Sequence, residues 1–175
     1  MTPVHATTVA RFGAAGWRGV LLTGPSGAGK SDLALRLIGA GWRLVSDDYS
    51  EVWRSGDAVY ATAPATIVGR IEARGLGVIP CSPRWIARIA LVVVCGQETV
   101  ERMPEPAEER VAGVALQSIR LDTRAASAVE IVVAALAQVQ EGPALHPRAF
   151  PLSRPACGPG RCVPAWDRVA GAVIW

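Results

Sequence analysis

One lysine occurs in the 175 residues, and it stands at position 30 within Gly24-Pro25-Ser26-Gly27-Ala28-Gly29-Lys30-Ser31. This stretch fits the phosphate-binding pattern G-x-x-x-x-G-K-[ST]. Glycines let backbone N–H groups turn inward and cradle phosphate oxygens, which side chains would block. The lysine reaches the β/γ-phosphates as a point charge, and the following hydroxyl is a ligand for Mg²⁺. The chain avoids lysine throughout, its other basic residues being arginines. The scarcity is background, so only the position of the one lysine is informative. Phosphoryl transfer also needs a metal ligand and an acceptor for the attacking hydroxyl's proton. Asp47 and Asp48 are adjacent and can divide those roles, or they can simply cap a turn. Glu72, just before Arg74-Gly75-Leu76-Gly77, is a third candidate, though a lone glutamate is ordinarily solvated surface.

A phosphate loop must follow a strand and open a helix. Gly19 to Thr23 is a short apolar run ending at the first loop glycine. Leu33, Ala34, Leu37 and Ile38 then recur at helical spacing until Gly41, so a helix is expected over about 30–40. Its N-terminus would turn free N–H groups and the positive dipole end toward phosphate. Arg43 to Ser46 reads as the next strand, and in a parallel α/β sheet the loop after it shares an edge with the phosphate loop. Val4 to Phe12 reads as extended, with a hairpin turn over 13–18. Ser55-Gly56-Asp57 marks another hairpin between Val52–Arg54 and Ala58–Ala61. Pro64 to Arg70 is open between a short helix and extended chain. Arg88 to Cys95 is the best buried strand, 101–110 a charged, proline-interrupted loop, and 111–121 one or two strands. An alanine-rich helix is expected over 125–140.

After Glu141, prolines recur about every four residues, so 142–175 reads as an extended Pro/Gly-rich tail, open to disorder. One domain over 1–141 is the natural division. A formal net charge of +3 is too mild to argue for a nucleic-acid partner, and the arginines read as scattered, without a basic stripe or interleaved aromatics, so no nucleic-acid partner is expected. No apolar run reaches the roughly 18 residues of a membrane span. With no signal-like N-terminus, a cytoplasmic protein is expected. Cys95 reads as a core thiol and Cys81 as a loop thiol. Cys157 and Cys162 have no second ligand pair nearby, which disfavours a metal site.

Three segments together resemble the catalytic domain of the HPr kinase/phosphorylase family. They are the loop Thr23 to Asp32, the stretch Gly41-Trp42-Arg43-Leu44-Val45-Ser46-Asp47-Asp48, and Ile71-Glu72-Ala73-Arg74-Gly75-Leu76-Gly77-Val78-Ile79. The last is the most specific, because a phosphate loop alone would fit hundreds of families. The resemblance covers about residues 4 to 140. It implies a P-loop-containing α/β fold of the phosphoenolpyruvate-carboxykinase-like kind, a mixed sheet with flanking helices. It also implies ATP and Mg²⁺, the phosphocarrier protein HPr as substrate, and a homo-oligomer, a hexamer in the family. Carried over by residue, Lys30 binds the β/γ-phosphates, Ser31 and Glu72 contact Mg²⁺, and Asp48 takes the proton of the substrate serine with Asp47 beside it. His5 corresponds to an active-site histidine, and Arg102 is similar to a family arginine.

The departures are specific. Pro25 stands where the family loop usually has an acidic residue. The hairpin between His5 and the loop is about four residues longer than usual, and the family's N-terminal domain is not expected here. The function expected is an ATP-dependent serine kinase acting on HPr, with reverse phosphorolysis in doubt. The competing readings are a small-molecule kinase, a non-catalytic nucleotide-binding regulator, and a nucleic-acid-dependent ATPase.

Overall fold

Thr7 to Gly13 (β2) and Gly16 to Thr23 (β3) pair antiparallel, and their alternating residues are buried on both faces of a sheet. That double burial requires cover on each side. The computed structural model describes residues 1–13, 16–96 and 100–139. The expected tail from residue 142, with Cys157 and Cys162, lies outside the described residues. The remaining elements are β1 (Thr2–His5), α1 (Lys30–Gly39), β4 (Arg43–Ser46), β5 (Tyr49–Ser55), β6 (Ala58–Thr62), β7 (Arg70–Ala73), β8 (Gly77–Pro80), β9 (Ile86–Gly96), β10 (Ala107–Val111), β11 (Val114–Asp122) and α2 (Ala128–Gln138).

The main sheet runs β1-β5-β6-β9-β3-β2-β4, with β11 alongside the later half of β9 and β10 outside β11. It is mixed rather than parallel: β3, β9 and β11 run together, while β2 is antiparallel to both β3 and β4. Two antiparallel steps make β4 parallel to β3. The ends of β3, β4, β9 and β11 and the start of β2 therefore meet at one edge. The expected placement of Asp47 and Asp48 beside the loop holds, although a fully parallel sheet does not supply it.

One face packs on the helices: Val20, Leu22, Leu91 and Val93 lie against Leu33, Leu37, Val132 and Leu136. The other face closes on the sheet itself, joining Leu21, Val52, Val59, Ile89 and Val92. Strand β9 serves both cores because its register slips opposite Gly19 and Val20, which pair with Ile89 and Leu91 and skip Ala90. The extra residue flips the alternation. Ile89 and Val92 face one core, and Leu91, Val93 and Cys95 face the other.

Several expectations change. The charged stretch 101–110 is not all loop, since Ala107 to Val111 is an edge strand. Residues 65–69 form turns and no regular element, and α2 begins at Ala128 rather than Ala125. Three of the arginines, read as scattered along the chain, come into register in the sheet. Cross-strand register aligns Arg11, Arg18, Arg88, Tyr60 and Trp53 across β2, β3, β9, β6 and β5. Three arginines and two aromatics thus share one row on the helix side of the sheet, where Arg18 Nη2 donates to Val139 O beyond the last turn of α2 (3.3 Å). A cation is favourable at a helix C-terminus, which accounts for Arg18.

Candidate active site

The phosphate loop begins where β3 ends and α1 begins. Gly24 (φ 133°) and Gly29 (φ 84°) hold backbone that L side chains rarely adopt. Both are also walled in. A Cβ on Gly24 would lie 2.4 Å from Cys95 O, and one on Gly29 2.5 Å from Thr123 Oγ1. Thr123, at the end of β11, donates to Ala28 O at 2.7 Å, so a neighbouring strand end fastens the loop. Lys30 is buried, and its Nζ donates to Gly24 O and Pro25 O, each at 3.0 Å. The ammonium is thereby held against the loop's own carbonyls. Beside the loop lies a cavity of about 590 Å³ lined by Ser26, Ala28, Cys95, Val100, Glu101 and Arg120, among others. Burial pushes the Cys95 thiol up to about 12, with Lys30 opposing, so Cys95 contributes no charge to this lining.

The two adjacent aspartates have different surroundings. Asp47 is buried and accepts three hydrogen bonds. Ser31 Oγ and Thr7 Oγ1 donate to its Oδ1 at 2.8 Å each, and the Glu72 amide donates to Oδ2 at 3.0 Å. Asp48 is exposed, has φ 65°, and meets His5 Nε2 through Oδ1 at 3.2 Å. His5 ends β1 opposite Tyr49, the two rings 5.6 Å apart.

Glu72 lies on the β7–β8 hairpin, anchored to the core by Ile71. Its backbone reaches Asp47, while its side chain is exposed. The structure therefore brings Lys30, Ser31, Asp47, Asp48, His5 and Glu72 to one edge. Arg102 is exposed and has no hydrogen-bond or ion-pair partner among the described residues, whereas its neighbours Val100 and Glu101 line the cavity.

Ser31 Oγ, the Asp47 carboxylate and the Glu72 carboxylate are hard oxygen donors. Mg²⁺ takes such ligands, using one or two carboxylates together with phosphate oxygens. The donor set fits that ion.

Sequence reasoning passed over Thr7, Thr8, Ser50 and Thr123. Two consecutive threonines leading into Val9 and Ala10 were the available signal. Thr123 had none, because its role depends on β11 lying beside the loop.

The fold and the loop define a P-loop domain of the mixed α/β class. The family model "HPr Serine kinase C-terminal domain" matches residues 2–142, and the chain belongs to that family. Among curated relatives, the HPr kinase/phosphorylase of Geobacillus thermodenitrificans is 44% identical over 79 residues, 45% of this chain and 24% of the relative. That of Clostridium kluyveri is 47% identical over 64 residues, 37% of this chain and 21% of the relative. The matched stretch thus spans only about a fifth to a quarter of the length of these relatives. A solved structure of the Hpr(Ser) kinase/phosphatase from Coxiella burnetii shares the fold at a TM-score of 0.63 and 22% identity, covering 78% of this chain and 88% of that chain. No described helix is long and apolar enough to cross a membrane.

Proposed function

We propose that this chain is an ATP-dependent protein serine kinase domain whose acceptor is the phosphocarrier protein HPr. The observation that carries the reading is the division of labour between neighbouring aspartates. Asp47 is engaged by Ser31, Thr7 and the Glu72 amide, while Asp48 faces solvent and, among the described residues, has only His5 as a side-chain partner. A pure nucleotide binder needs no second, open carboxylate.

In this mechanism Lys30 exchanges the Gly24 and Pro25 carbonyls for the β/γ-phosphates. The loop amides orient the phosphate chain, and the cavity lined by Ser26 and Cys95 takes the rest of the nucleotide. Ser31 and Glu72 would hold Mg²⁺, with Asp47 orienting the Ser31 hydroxyl, and the ion would supply charge neutralisation on the phosphates. Asp48 accepts the proton of the acceptor serine hydroxyl as its oxygen attacks the γ-phosphorus and ADP leaves. His5 Nε2 orients Asp48 for that step. Positioning and electrostatics supply most of the rate in such transfers. Arg102, two residues from Val100 on the cavity wall, would be a further cation for the transferred phosphoryl.

The test is a phosphorylation assay with purified HPr and magnesium, run forward with ATP and backward with inorganic phosphate. Forward transfer is expected, and a transferable phosphoryl found only on small molecules would refute the protein acceptor. Asp48→Asn should keep ATP binding and lose transfer, whereas near wild-type transfer would remove Asp48 as base. The homo-oligomer and the cytoplasmic location belong to the same proposal. Light scattering on the purified chain checks the first.

A further inference from the structure

Asp48 has a positive-φ backbone, at φ 65°, a region that aspartate enters more readily than most side chains but still uncommonly. The residues on either side of it are tied to β2. Thr7 Oγ1 donates to Asp47 Oδ1 at 2.8 Å. Thr8 Oγ1 lies 2.6 Å from Ser50 Oγ, and Ser50 Oγ donates to Ala6 O at 3.0 Å. Since the Ser50 proton goes to Ala6, Thr8 is the donor in its pair with Ser50. The turn between these anchors is closed by the Tyr49 amide donating to Asp47 O at 2.8 Å and by Ser46 Oγ donating to Tyr49 O.

Consecutive strand residues point to opposite faces. Thr7 and Thr8 are both fully buried, so a hydroxyl is spent on each face of β2 where an apolar side chain would pack more cheaply. Each hydroxyl meets the same corner, one at Asp47 and one at Ser50. Among the described residues, Asp48 itself has only His5 as a side-chain partner. Its conformation is therefore set by the residues that flank it.

We propose that Thr7 and Thr8 form a two-sided hydroxyl clamp that positions the catalytic carboxylates. Thr8, through Ser50, holds the corner that keeps Asp48 left-handed and facing His5. Thr7, through Asp47, orients the Ser31 hydroxyl on the phosphate side. Both are positioning residues, with no contact to the reacting atoms. The inference rests on Asp48 being the proton acceptor, and its test has readouts that do not depend on the acceptor substrate.

The test uses the full chain with Thr7→Val, Thr8→Val, Ser50→Ala and the serine variants Thr7→Ser and Thr8→Ser. Thr8→Val and Ser50→Ala should each lower kcat on the order of tenfold with KM for ATP unchanged. In both, the Asp48 HN–Hα coupling measured by NMR should shift, and Thr8→Ser should restore both readouts. Thr7→Val should instead weaken binding of ATP with magnesium several-fold by calorimetry without acceptor, and Thr7→Ser should restore it. A wild-type Asp48 coupling and kcat in both Thr8→Val and Ser50→Ala would overturn the clamp. So would parallel loss of ATP affinity and kcat in Thr8→Val without rescue by serine, because that pattern marks general destabilisation. If wild-type protein does not phosphorylate HPr, the kinase reading fails, and the Asp48 coupling and ATP calorimetry still decide the clamp.

Discussion

Gly29→Ala probes whether the phosphate loop is held by its neighbour strand or only by its own turn. Gly29 has φ 84°, and an added Cβ would lie 2.5 Å from Thr123 Oγ1 and 3.2 Å from Thr123 Cβ. Thr123 is buried and donates to Ala28 O, so it cannot swing away without losing that bond. Left-handed strain contributes about 1–2 kcal/mol. Losing the threonine hydrogen bond and displacing its side chain contribute about 1–2 kcal/mol more. A destabilisation of about 3 kcal/mol follows, or a fall in Tm of roughly 10 °C for a domain of this size. Urea unfolding followed by circular dichroism measures it. The companion is the double variant Gly29→Ala/Thr123→Ala. Removing Oγ1 removes the close contact and leaves the backbone strain, so the double variant should be milder than the sum of the singles by about 1 kcal/mol. Strict additivity would show that Thr123 does not press on the loop. A single Gly29→Ala within about 0.5 kcal/mol of wild type would refute the strain argument altogether.

Lys30→Ala should abolish measurable ATP binding by calorimetry, and wild-type affinity would remove the loop as the nucleotide site. Because Lys30 is buried against two carbonyls, amine-directed reagents should modify the α-amino group well before it, as peptide mapping would show. Burial pushes the folded-state Cys95 thiol from 9.0 up to about 12. Below pH 9 the thiol is protonated in both states; above it the unfolded chain ionises first, so stability falls as pH rises toward 12 by up to about 1.4 kcal/mol per pH unit. Cys95→Ala should lose that part of the slope in paired urea titrations, and an unchanged slope would contradict it. Arg11→Glu should raise stability by about 0.5 kcal/mol, because it replaces a like-charge cross-strand neighbour of Arg18 with an opposite one. A drop in Tm would show that Arg11 is held by something other than the row.

Local chemistry determined what could be read directly from the chain. The run Gly24 to Ser31 predicts strand, loop and helix because glycine conformations, a lysine and an apolar period sit at adjacent positions. Ser55-Gly56-Asp57 predicts a hairpin for the same reason, and β5 and β6 pair on either side of it. Adjacent Asp47 and Asp48 marked a candidate site, but their residue types could not tell their surroundings apart, because both have the same side chain and follow the same strand. Only the tertiary structure distinguished those surroundings. It buried one among Ser31, Thr7 and the Glu72 amide and left the other exposed beside His5, with partners up to 43 positions away. The Thr123 wall behind Gly29 and the row of three arginines and two aromatics across five strands were likewise invisible, since strand order and register assemble them from distant segments. Backbone propensity and turn chemistry act over a few residues and can be read in order along a chain. Hydrogen-bond partnership and burial depend on which strands become neighbours, and here a mixed sheet with a bulge in β9 made that choice.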